Sequence, residues 1–395
     1  VSSPRSRLDV MLVGSSFHFM SGLSVYTCRL ANALIETRSV GVLLLDRLIP
    51  TRLYPGGARA GQALAGIDYD PAVRVGARVD WWWGLGMLRA IRALRRERPR
   101  VLVLQWWTAA TLHTYLLLAL VARRSGTAVV VEFHEVQDTG EAGVPLVASY
   151  ARLGVPRLIR MASGAVVHNE HDREALVAAY GADVLAHLHV EVAPHGPYDH
   201  LAPAAEPPAE AVPGDAEGPD EDVTRLLFFG TIRPYKGLED LVTVFNRLSP
   251  EEVATFHLTV VGETWEGWTG PGELIEASPH RDRITFVNHY VTDEEAAGYL
   301  ATADVMVLPA RRGSASGPLA IAMSAGLNVV MYAVGGLVDA VKDYDGVTLV
   351  DGDDVDGLEK ALLDVRARRG ERWSDPHSWD GAVAAYDRLT AAVAR

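Results

Sequence analysis

Several things are scarce in this chain of 395 residues, and each shortage excludes something. There is one cysteine, Cys28. A single thiol forms no intramolecular disulfide and no thiolate metal cage. Long apolar runs are missing: the longest, YLLLALVA at 115–122, falls far short of the roughly 20 residues that span a bilayer. Positive charge is in deficit, with 37 Lys and Arg against 50 Asp and Glu and a formal charge of −13. A uniformly acidic surface repels a phosphate backbone, which argues against nucleic acid as a partner. VSSPRSRLDVMLVG places arginines ahead of an apolar stretch that stops at Gly14, too short for a secretory leader. A cytoplasmic location is therefore expected. The last scarcity is local: RRGSASGPLAIAMSAG, 311–326, is rich in glycine and serine and holds no acid.

What is present alternates. Strand-like runs occur at 8–14, 40–46, 100–106, 127–133 and 164–168, then at 225–230, 256–262, 283–287, 304–309, 328–332 and 347–350. They are apolar throughout, as strands buried on both faces of a parallel sheet must be. Helical patterns between them make repeated βαβ units. The segment 201–223, rich in Pro, Ala and acids, reads as a linker or mobile insertion. The expectation is an α/β chain of two doubly wound, Rossmann-like domains facing a cleft: 1–200, then 224–376, with a helix at 377–395 packing back onto the first. Ligands of such sheets bind at the carboxyl ends of the strands.

Two strand-to-helix turns carry phosphate chemistry. In LLFFGTIRPYKGLEDL a strand ends at Gly230 and a helix begins near Gly237, so Arg233 and Lys236 sit on the turn. Two cations beside free helix amides suit a diphosphate. In the acid-free segment, Gly313, Ser314, Ser316, Gly317 and Pro318 follow a strand and open a helix, another source of exposed N–H groups, with Arg311 and Arg312 adding charge. Gly335 and Gly336 make a third such turn.

In order and spacing, FFGTIRPYKG, the SASG loop, AMSAGLNVV and VGGLVDAV resemble the donor domain of the retaining GT-B glycosyltransferases of family 4. GSSFHFMSGLSVYTCRLANAL (14–34), LQWW (104–107), EFHE (132–135), VVHN (166–169) and VAPHGPYD (192–199) resemble its first half, and SWDGAVAAY its closing helix. The resemblance implies a metal-independent transferase without a cofactor, taking a UDP- or GDP-sugar donor. It implies Arg233 and Lys236 on the diphosphate, with Thr231 standing where the family usually has its arginine. His134 would lie by the donor sugar. Gly14, Gly22, Gly230 and Gly262 would shape the donor loops. The base and ribose would rest against 262–264 and 286–290. Ser21, Trp106, Trp107, Glu135 and Asp138 are the candidates for the acceptor, which the sequence does not name; His195 reads as structural.

The departure is in the acid-free loop. Aligned on Ala322-Met323, the family's two glutamates fall at Gly313 and Ile321. The branch with IRPYKG and a Ser-Gly loop commonly lacks these acids. Retention can use the leaving diphosphate as its own base, so that the protein need only stabilise charge and align the acceptor. The backbone of 314–317 would then do the work. Two alternatives stand beside this: a non-catalytic partner that keeps the nucleotide fold, and a GT-B nucleotide-sugar epimerase.

Acid pairs at 343–346 and 351–354 read as turns, with Asp353 or Asp354 capping a helix, rather than as a metal site. Thr292 and Glu295 have capping-box spacing. WWWGLGMLRAIRALRRERPR, 81–100, joins three tryptophans to six arginines on a short helix. It reads as an ordinary covering helix with Met87, Leu88, Ile91 and Leu94 on the sheet, or as a peripheral contact on the inner face of an anionic membrane.

Overall fold

A computed structural model describes residues 7–16, 22–47, 68–136, 145–198, 201, 222–264 and 268–394. Ser21, Asp138 and nearly all of the 201–223 segment lie outside the described residues. The chain divides into two compact units, 1–196 with 377–395, and 197–376.

The first unit is a seven-stranded parallel sheet in the order β3-β2-β1-β4-β5-β6-β7. Its strands are β1 Val10–Ser15, β2 Val40–Arg47, β3 Arg74–Asp80, β4 Val101–Trp106, β5 Ala128–Phe133, β6 Gly164–Val167 and β7 His189–Val192. β1 (VMLVGS) and β4 (VLVLQW) are buried at every residue, because helices cover both faces. Helices α2 Gly84–Glu97, α3 Leu112–Arg124 and α4 Pro145–Met161 pack Leu94, Tyr115 and Ile159 into one core. On the other face, α1 Gly22–Ile35 and the C-terminal helix Trp379–Val393 supply Tyr26, Leu30, Tyr386 and Leu389.

The second unit is a six-stranded parallel sheet in the order β10-β9-β8-β11-β12-β13. It comprises β8 Thr224–Phe229, β9 Phe256–Val261, β10 Ile284–Val287, β11 Val305–Leu308, β12 Asn328–Tyr332 and β13 Val347–Val350. α5 Leu238–Arg247 buries Leu238, Leu241, Val242 and Phe245, one stripe at helical spacing. The expected capping box of Thr292 and Glu295 closes on itself, and Asp354 caps its helix by accepting from the Gly357 N–H at 2.9 Å.

Two strands, β3 and β7, were not expected. Both are edges, and RVGARVD and HVEV lack the unbroken apolar run that marked the others. The tryptophan segment also differs from expectation. Trp81, Trp82 and Trp83 precede α2 rather than ride on it, and Trp83 has φ +66°. Met87, Ala90 and Leu94 face the sheet, while Leu88 is exposed and Ile91 half-buried.

Candidate active site

In the second sheet the strand order reverses between β8 and β11, and a doubly wound sheet opens its crevice at such a switch point. The turns that leave these strands are packed directly on one another. Gly230 has φ +108°, and a Cβ there would lie 2.9 Å from Pro318 Cγ. Gly237, at φ +71°, approaches so closely that a Cβ would stand 1.9 Å from the Pro309 carbonyl oxygen. Only glycine fits both the dihedral and the space. Gly262 in turn backs onto the Gly230 carbonyl, and the Ile232 N–H donates to the Glu263 carbonyl at 2.9 Å. Gly230, Gly237, Gly262 and Pro318 thus meet at one end of the sheet.

Arg233 precedes and Lys236 ends the short helical turn Pro234–Lys236, both half-buried. Tyr235 between them is a residue the sequence reading passed over. Lys236 Nζ lies 5.3 Å and the Arg312 guanidinium 4.8 Å from its ring centre, so one aromatic ring gathers two cations. Arg311, expected to add free charge, is committed elsewhere: it pairs with Asp240 at 2.6 Å and Asp353 at 3.2 Å. The hydrogen bond to Asp240 is the chief cause that holds its guanidinium above the usual arginine range.

The second turn begins at Gly313, whose carbonyl accepts from the Gly336 N–H at 3.1 Å, tying it to the third glycine turn. Ser314 is half-buried. Ser316 spends its hydroxyl as N-cap of α6 Gly317–Ser324, accepting from the Leu319 N–H at 3.3 Å. At Gly317 a Cβ would meet nothing within 4 Å, so this end of α6 is open. Ile321 is buried on α6, so neither position aligned with the family glutamates brings a carboxylate.

In the first sheet the order reverses between β1 and β4. Gly14 is not on a loop there. It lies within β1, and a Cβ would collide with the Gln105 Oε1 at 2.1 Å. It makes room for the buried side chains of Gln105 and Thr27. Gly22 opens α1 and is exposed. Trp106, expected at an acceptor, is 4% exposed in the core; its neighbour Trp107 is half-buried. Glu135 is exposed just past β5.

The centre of this unit is a residue the sequence reading did not single out. Glu132 in β5 is fully buried; Tyr26 donates to its Oε1 at 2.7 Å and Gln105 Nε2 to its Oε2 at 3.0 Å. His134 Nε2 stands 3.7 Å from the same Oε2, an ion-pair distance too long for a hydrogen bond. His134 Nδ1 lies 3.0 Å from His168 Nε2, and His168 Nδ1 lies 3.0 Å from the Ala193 carbonyl. Burial pushes the Glu132 carboxyl up, but contact with His134, the His168 charge and the Tyr26 hydroxyl outweigh it and bring it to about 2. Burial, and then repulsion from His134, lower His168 to about 4. Burial does the same to His195, which lies below the usual histidine range and packs its ring 4.5 Å from that of Tyr26. An acid inside an apolar strand, VVVEFH, was the available signal, since acids are almost never fully buried unless paired.

The ligand atoms of Glu132, His134 and His168 lie within 4.8 Å of one another. They are turned to each other, however: both carboxylate oxygens and both His168 nitrogens have partners. Only His134 Nε2, buried and without a hydrogen-bond partner, remains. That is a hydrogen-bonded chain, one open atom short of any chelate.

The glycosyl transferase 4-like domain family matches residues 21–196, and the glycosyl transferases group 1 family matches 223–367. A D-inositol 3-phosphate glycosyltransferase of Xylanimonas cellulosilytica is 33% identical over 248 residues, 59% of this chain and 58% of that relative. The chain thus aligns with less than two thirds of that relative's length. Among solved structures, the catalytic domain of starch synthase IV from Arabidopsis thaliana, bound to ADP and acarbose, superposes with a TM-score of 0.67 at 13% identity, covering 99% of this chain and all (100%) of that one. The Anabaena protein HepE in complex with UDP and glucose gives 0.58 at 12% identity, covering 98% and 96%. These structures share the fold, two parallel α/β sheets of the GT-B class. With both of its units matched, the chain belongs to the group 1 glycosyl transferases.

Proposed function

We propose that this protein transfers a sugar from a nucleoside diphosphate to an acceptor hydroxyl, with retention at the anomeric carbon. The observation that carries the reading is the packing of the Gly230–Gly237 turn against 309–318. It brings the turn that carries Arg233 and Lys236 against the segment that opens α6. Side-chain cations and backbone N–H groups are then preorganised for the charge that develops on a departing diphosphate. The acceptor oxygen attacks the anomeric carbon on the face the diphosphate leaves, the bond from that carbon to the phosphate oxygen breaks, and the acceptor proton passes to the diphosphate. No protein carboxylate is needed as base, in keeping with Gly313 and Ile321. His134, whose Nε2 has no hydrogen-bond partner, is the proposed polar contact of the transferred sugar. Trp107 and Glu135 remain the proposed acceptor contacts, and UDP and GDP the candidate nucleotides.

Calorimetric titration of UDP, GDP and ADP into the wild type and Lys236→Ala tests this. One nucleotide is expected to bind, and the variant to bind it about tenfold or more weakly, the loss of a charge-assisted hydrogen bond. Failure of all three to bind would leave the non-catalytic partner as the better reading.

A further inference from the structure

In a chain with a formal charge of −13, one layer of the first unit is strongly basic. Helices α2, α3 and α4 lie side by side over one sheet face. The outward side of α2 carries Arg89, Arg92, Arg95 and Arg96, all exposed. α3 ends in exposed Arg123 and Arg124, and α4 exposes Arg152, Arg157 and Arg160. The three helices contain a single acid, Glu97, which is buried and bonded to Arg74 and Arg96. A solvated helix layer ordinarily mixes both signs.

The same layer exposes apolar side chains. Leu85 is 69% exposed, beside Trp81, Trp82 and Leu88. On α4, Leu146 is 84% and Leu153 61% exposed, with Tyr150 between them at helical spacing. Of the twelve large hydrophobic residues exposed among the described residues, eight belong to this layer. α4 is therefore apolar on both sides, since Val155, Leu158 and Ile159 already face the core. The patch is continuous: His113 of α3 bonds the Trp81 carbonyl at 2.8 Å and its backbone meets Tyr150, while Arg123 donates to the Arg160 carbonyl at 3.2 Å. The Arg47 guanidinium lies 4.4 Å over the Trp82 ring.

We propose that the outer face of α2, α3 and α4 docks on an anionic lipid bilayer. Leu85, Leu88, Leu146 and Leu153 enter the headgroup boundary, and the arginines lie against the lipid phosphates. Polyanions alone would account for the arginines, but a nucleic acid offers exposed leucines nothing, whereas a bilayer buries them. The surface runs from the helix N-termini at the carboxyl edge of the sheet, so lipid would lie along the flank of the edge that carries Trp107 and Glu135. The proposal does not depend on the transferase reading.

Sedimentation of the full chain with phosphatidylcholine vesicles, with and without phosphatidylglycerol, tests it. Binding is expected only to the anionic vesicles and should be released by salt. Arg92→Gln/Arg95→Gln should weaken partitioning about 25-fold, roughly fivefold per charge. Leu85→Ser/Leu146→Ser/Leu153→Ser, at unchanged charge, should weaken it about tenfold or more. All five positions are exposed, so thermal melting should be unchanged, and the melt is recorded alongside. Absence of wild-type binding to anionic vesicles overturns the proposal. So does a leucine variant that binds like wild type, or tighter retention of an oligonucleotide that depends on the arginines alone.

Discussion

At the scale of single residues, hydrogen-bond accounting fixes where a proton sits. The Ala193 carbonyl can only accept, so His168 Nδ1 must carry a hydrogen. A neutral His168, which its lowered pKa favours, then presents a lone pair at Nε2, and His134 Nδ1 must donate to it. His134 Nε2 is thereby turned toward Glu132 and the site, where a proton on it would complete an ion pair. The tautomer of one ring is set by a residue that need touch no substrate, the usual role of a partner behind a functional histidine. His168→Phe removes the acceptor while filling the space. The expected outcome is that the His134 proton moves from Nδ1 to Nε2, toward the field of the Glu132 carboxylate, and that turnover falls about tenfold to a hundredfold. Nitrogen-15 NMR of the imidazole reads the tautomer directly. An Nδ1 proton that stays in place in the variant would mean that His168 does not set it.

Among elements, the glycine turns give the sharpest contrast. Gly237 combines φ +71° with a close approach to the Pro309 carbonyl, whereas a Cβ at Gly317 meets open space. Gly237→Ala should therefore cost about 2–4 kcal/mol of stability, from backbone strain plus displacement of a packed turn. Gly317→Ala should change stability by less than about 0.5 kcal/mol. Paired denaturant titrations measure both, and equal effects would contradict the packing of the two turns. This contrast also marks what was legible in the sequence. Buried central strands announce themselves, because burial on both faces demands continuous Val, Leu and Ile, and the strand-to-helix turns of the second sheet announce themselves by glycine after such a strand. Edge strands β3 and β7 do not, since half of each faces solvent and its sequence is free to be polar. Nor could sequence separate Gly14, which yields its space to Gln105, from Gly230, which turns the chain: both follow an apolar run. Glu132 was overlooked because its partners come from α1, β4 and the segments after β5 and β6, brought together only by the fold.

For the whole molecule, two effects of acid oppose each other. Lowering the pH from neutral relieves the repulsion implied by a charge of −13, which favours the compact state. The buried cluster works the other way. His168 has a folded pKa of about 4 against an ordinary 6.5, depressed first by burial, so between these values the unfolded chain binds a proton that the folded chain excludes. Stability then rises with pH, by about 1.4 kcal/mol per unit for one such group. Glu132, held at about 2 against an ordinary 4.5, extends the loss in the same direction at lower pH, as its contribution disappears on protonation. The surface charges are spread out and screened by salt, so the buried groups should win in physiological salt. The denaturation midpoint is expected to fall steadily from pH 6.5 to 4.5, and His168→Gln should make that limb shallower, with the remaining slope from buried His195, while leaving the loss below pH 4.5 attributed to Glu132. A wild-type midpoint that stays level or rises as the pH drops through this window would show that charge relief outweighs the cluster.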